Sequence, residues 1–189
     1  MKKDEGPGQV SLHEGWYRLY DEKPFFTRSD LKRTLSKFLE YAGYDLPQPV
    51  PVGFMMPDLV ALRSEGNRRF EVLFVLGEGI NSAVRGFREL AAAKCFRKDA
   101  ADYVLALPPV SEHHLIEFLI EKEDWFFPIK DQQLQLWLVN PEREKVDCLL
   151  GWPRDDRFRH YFSNPRLAGF AGYIANKATE KLLKEEFGP

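Results

Sequence analysis

Five consecutive apolar residues, Tyr103 to Leu107, are opened by Asp102 and stopped by Pro108-Pro109. A run so short and unbroken reads as a strand buried on both faces. Upstream lies a second strand-like run, Arg68 to Leu76. Between the two, Asn81 or Ser82 is placed to cap a helix carrying Val84, Phe87, Leu90, Ala91 and Cys95 on one face, and Ala91-Ala92-Ala93 is small enough to sit close on a sheet. Strand, helix, strand calls for a parallel crossover. The expected fold class is therefore α/β, a mixed central β-sheet flanked by helices.

The remaining elements extend that plan. Asp58 to Arg63 and Arg68 to Leu76, separated by Ser64-Glu65-Gly66-Asn67, read as a β-hairpin. Before it, Ser29 reads as the cap of a helix whose stripe is Leu31, Leu35, Phe38 and Leu39, ending near Gly43. A third helix is expected from Ser111, a fourth strand over Leu134 to Val139 after the Trp125-Phe126-Phe127-Pro128 turn, and a last helix from Asn164 with Pro165 at its first position. Residues 1–28 read as an N-terminal arm and 29–189 as a single domain.

The chain has 189 residues, of which 44% are apolar and 30% charged, so one core of ordinary size needs neither disulfides nor a structural metal. Cys95 and Cys148 have no ligand spacing around them and read as apolar fillers. His13, His113, His114 and His160 show no metal-ligand spacing with one another. The longest apolar stretch, Phe70 to Leu76, is interrupted by Glu71 and far short of a membrane span, and no signal peptide is evident, so a cytoplasmic location and no membrane partner are expected. A net charge of −2 leaves any nucleic-acid claim to local clustering.

Such clustering exists. From Arg63 to Lys98 there are eight Lys/Arg against four acids, whereas Glu112 to Asp124 has five acids against one lysine. Arg85, Arg88, Arg97 and Lys98 on the second helix are the candidate phosphate contacts. A second basic stretch, Arg154, Arg157, Arg159, His160 and Arg166, is interleaved with Trp152, Phe158, Tyr161 and Phe162, which suits either single-strand binding or core packing.

Pro57-Asp58, twelve residues and then Glu71-Val72-Leu73, set between a preceding helix and a following helix and buried strand, resemble the PD-(D/E)XK nuclease superfamily with its restriction-endonuclease-like fold. The resemblance implies that Asp58 and Glu71 hold Mg²⁺ or Mn²⁺. It also implies that a lysine two residues after the second acid attends the attacking water. Leu73 occupies that position. In some members the lysine comes from the following helix, which makes Lys94 the substitute catalytic cation here, and some supply an acid from the first helix, which points to Glu40.

A turn centred on Glu65-Gly66 would set Leu73 opposite Asp58 and Val60 opposite Glu71. The two carboxylates would then be diagonal neighbours about 7–8 Å apart, within reach of one ion. The alternative is that Asp58 caps a turn and Glu71 pairs with Arg69 or Arg63. Glu71 is the more informative acid, because an inward carboxylate in an apolar strand must be paired or metal-bound. Two functions stay open: metal-dependent hydrolysis of nucleic-acid phosphodiesters, or a catalytically inactive nuclease-like fold that binds nucleic acid, a protein partner or a second copy of itself.

Overall fold

The computed structural model describes residues 26–97, 100–109, 133–151 and 153–162. Helix α1 (Arg28–Tyr41) is capped by Thr27, two residues before Ser29, because Thr27 and Asp30 form a reciprocal capping box. The Asp30 N–H donates to the Thr27 hydroxyl and the Thr27 N–H donates to the Asp30 carboxylate. Its buried residues are Leu31, Thr34, Leu35 and Leu39, close to the expected stripe.

The hairpin is β1 (Leu59–Glu65) and β2 (Arg68–Leu76), paired antiparallel. After a 3-10 turn at Ile80–Ser82 comes α2 (Ala83–Arg97), then β3 (Asp102–Leu107), which runs parallel to β2. The crossover thus matches expectation. Gly86 lets α2 lie close on β3, since a Cβ there would come within 2.5 Å of Leu105 Cδ1. The close approach is made at Gly86 rather than through the alanine run alone.

β4 (Gln135–Asn140) joins β3 in parallel, and β5 (Lys145–Leu150), which was not expected from the sequence, returns antiparallel to β4. The sheet order is β1-β2-β3-β4-β5. The sheet is mixed and the class is α/β.

Period-two alternation divides the sheet between two cores. Val60, Leu73, Val75, Tyr103 and Leu105 meet Phe87 and Leu90 of α2 on one face. Leu59, Ala61, Phe74, Val104 and Trp137 meet Leu31, Leu35 and Leu39 of α1 on the other. Phe158, in a 3-10 segment after β5, closes the second core by stacking on Tyr44 at 5.1 Å and meeting Trp137 edge-on at 5.0 Å. The aromatic side of the 152–162 stretch is therefore packing at Phe158.

Lys98, the helix expected from Ser111, the 125–128 turn, the helix expected from Asn164 and residues 1–25 of the N-terminal arm lie outside the described residues. Among the described residues no helix is long and apolar enough to cross a membrane.

Candidate functional site

The register corrects the hairpin geometry. Glu65 pairs with Arg68, so the turn is Gly66-Asn67, and Leu62, not Val60, stands opposite Glu71. Val60 faces Leu73. The pairing has moved by two residues, which preserves which side chains share a face but shifts them along the strand. Asp58 consequently lies beside the far end of β2, its N–H donating to the Phe74 carbonyl. Four residues separate it from Leu62, the partner of Glu71, or about 13 Å along the strand rather than a diagonal step.

Each acid also has its own partner. Asp58 Oδ2 accepts from Arg28 Nη2 at 2.6 Å and from the Leu76 N–H at 2.7 Å, tying the start of α1 and the end of β2 to the entry of β1. Burial opposes the Arg28 charge, but the bond to Asp58, the largest influence, raises its pKa, and Glu78 and Glu89 add to it. Glu71 accepts two parallel bonds from Arg97, at 3.0 and 2.7 Å. Its partner is thus on α2, not Arg69 or Arg63.

As placed, Asp58 and Glu71 do not converge on one Mg²⁺ or Mn²⁺ ion. Among the described residues no three His, Cys, Asp or Glu side chains come together as a metal-binding group. Glu40 is exposed on α1, twelve residues or about 18 Å of helix from Arg28 and its Asp58 contact.

Lys94 is half-buried, with its ammonium 5.7 Å from the centre of the Tyr103 ring. Its charge favours ionisation of Asp102, which opens β3 and is 7% exposed. Burial nevertheless pushes the Asp102 carboxyl up to about 6 against Lys94 and the Arg154 contacts. Arg154 donates its backbone N–H to Asp102 at 3.0 Å and its side chain to the Ala100 carbonyl.

Among the described residues the most buried charged pair was not anticipated. Arg63, 6% exposed, meets Asp155, 2% exposed, in two parallel bonds of 2.7 Å each. The Tyr44 hydroxyl donates to the same carboxylate at 2.5 Å and the Arg157 N–H at 3.0 Å. Burial works against the Asp155 charge, but Arg63, Tyr44 and Arg157 outweigh it and hold its pKa below the usual range. Burial, the largest influence, pushes the Tyr44 hydroxyl up, and the Asp155 carboxylate adds to this. The Arg63 guanidinium also lies 4.8 Å from the Phe70 ring centre. A signal existed in the sequence: in β1, Arg63 alternates with Leu59 and Ala61 on a buried face, where a guanidinium requires a carboxylate.

Of the candidate phosphate contacts, Arg97 is committed to Glu71, while Arg85 and Arg88 stand on the solvent side of α2. Arg85 Nε donates to Glu89 at 2.8 Å, one turn on. Two concavities lie nearby. One of about 250 Å³ at the end of β2 includes Arg28, Glu78, Ser82 and Arg85, and one of about 670 Å³ along β1 includes Asp45, Leu62, Arg63 and Arg69. No family model matches the chain, and no curated protein matches it in sequence.

Proposed function

We propose that this chain is a nuclease-like α/β domain that binds nucleic acid without cutting it, using the outer side of α2. The observation carrying the proposal is the Glu71–Arg97 pair. The acid that the motif would assign to a metal is already neutralised by a guanidinium in two-point contact. Leu73 in the lysine position and the offset of Asp58 from Glu71 support the same conclusion. Arg85 and Arg88 supply cations at the surface, where they can replace counterions on phosphates.

The test pairs two assays on the full chain. With Mn²⁺ and single- or double-stranded DNA and RNA, cleavage by wild type should not exceed that by Asp58→Ala and Glu71→Ala. Binding measured by fluorescence anisotropy should weaken as salt rises and weaken further in Arg85→Ala/Arg88→Ala. Cleavage abolished by both acid substitutions in folded protein would overturn the non-catalytic proposal, and salt-independent or absent binding would overturn the nucleic-acid one.

A further inference from the structure

Val52 and Met55 bridge each other through two backbone bonds, making a tight turn with Gly53 and Phe54 at its tip. Gly53 has φ +59°, a conformation that favours glycine. It lies so close to Phe96 of α2 that a Cβ would sit 3.2 Å from the ring's Cγ. The turn is thereby set against the C-terminal end of α2. Phe54 at its tip is fully exposed, Phe96 is 72% exposed, and Met56, two residues after Phe54, is exposed as well. Two exposed phenylalanines thus stand close to one another, one at the turn tip and one at the end of α2.

The surroundings indicate what kind of occupant fits. Arg85, Arg88, Ala92 and Phe96 recur at helical spacing, and all four are exposed, so they form one solvent-facing stripe. From Arg85 to Phe96 the stripe is about 16 Å long. α2 carries four Lys/Arg and a single acid, Glu89, so the aromatic end belongs to a positively charged element. Cations tracking a backbone, with aromatic faces at one end, are the components by which single-stranded nucleic acid is held without sequence reading.

We infer that Phe54 and Phe96 are base-stacking platforms, and that the strand occupying the α2 stripe is single-stranded nucleic acid. This rests on the proposed nucleic-acid function and adds the form of the ligand and the groups that would recognise its bases. Arg85 and Arg88 contact phosphate, which any strand offers. The phenylalanines contact bases, which only an unpaired strand leaves free.

The test uses labelled oligothymidylate and an abasic strand of equal length, with wild type, Phe54→Ala/Phe96→Ala and Arg85→Ala/Arg88→Ala proteins of matched melting temperature. Phe54 is fully exposed, whereas Phe96 touches the Gly53 turn, so the matched melting temperature checks that the turn keeps its seat on α2. Wild type should bind oligothymidylate about tenfold more tightly than the abasic strand, and the phenylalanine variant should lose that preference. The arginine variant should weaken binding to both strands alike. Equal binding of the two strands by wild type would overturn stacking while leaving the electrostatic proposal standing, whereas binding to neither would overturn both. Failure to bind, together with a wild-type dimer that becomes monomeric in the phenylalanine variant, would instead assign this surface to a second copy of the chain.

Discussion

The two ends of the sheet treat their carboxylates differently. At one end Asp58 fastens the entry of β1 to α1 and the tip of β2 through an arginine that is half in water. At the other, Arg63 and Asp155 are sealed from solvent together and joined by Tyr44, with the Asp102–Arg154 contact held by the same chain segment. The difference is one of dielectric. An exposed ion pair gains little over its hydrated partners, whereas a buried one becomes indispensable once formed, because either charge left alone has no water to return to. The segment around Asp155 is thus fixed by electrostatics as much as by the burial of Phe158.

The largest effect should therefore come from Asp155→Ala. Leaving Arg63 buried with only the exposed Glu65 carboxylate, 2.9 Å away, as counter-charge should cost about 3 kcal/mol in urea unfolding. Replacing both partners, as in Arg63→Met/Asp155→Leu, should recover only part of that loss, because the Tyr44 hydroxyl and the Arg157 N–H lose their acceptor. A cost below about 1 kcal/mol for Asp155→Ala would place the pair among surface pairs and remove the contrast between the two ends.

Asp102 sharpens the contrast through pH. Its carboxyl is pushed up to about 6 by burial, from an ordinary value of 3.8, so between these pH values the folded state holds a proton that the unfolded state has released. This contribution is favourable at low pH and is lost as pH rises through about 6, amounting to about 3 kcal/mol in full. Other carboxylates, Asp155 among them, change in the opposite sense, so the quantity to measure is wild-type stability minus that of Asp102→Asn. It should fall from pH 4 to about pH 6 and level off above that, and a flat difference would show that Asp102 is not desolvated.

At the open end, Asp58→Ala removes an acceptor from the Leu76 N–H and a partner from Arg28. The half-exposed arginine can return to water, so the cost should be about 1–2 kcal/mol, mostly from the backbone bond. Asp58→Asn keeps an acceptor and should cost less. Equal costs for Asp58→Ala and Asp155→Ala would erase the distinction.

The β2–α2–β3 crossover was legible because run length, unbroken apolarity and a helical stripe each admit one assignment over those residues. The hairpin was legible, but its offset was not. Ser64-Glu65-Gly66-Asn67 contains more than one candidate two-residue turn, and turns that differ by two in pairing leave every side chain on the same face. The hydrophobic pattern therefore cannot choose between them, yet that choice separates Asp58 from Glu71. β5 went unread because its alternation, Lys145-Val146-Asp147-Cys148, lasts only four residues before Leu149-Leu150 breaks it. Arg63 could be recognised as misplaced on its face, but its partner lies 92 positions later, a distance that local pattern does not cross.

The smallest expected effect is the most telling for function. Glu71 and Arg97 have side chains 17% and 34% exposed, so breaking the pair with Glu71→Gln should cost under about 1 kcal/mol. Such a change takes one negative charge from beside a helix proposed to meet phosphate. If the pair only trims the edge of the sheet, Glu71→Gln should tighten strand binding slightly, because one acid fewer stands near the phosphates. If Glu71 serves a metal, the same variant should lose the rise in melting temperature that Mn²⁺ gives wild type, since an ion bound only by the folded state must stabilise it. The two roles move different observables, so one substitution, measured for binding and for melting, decides whether this carboxylate is a structural partner of Arg97 or part of a metal site.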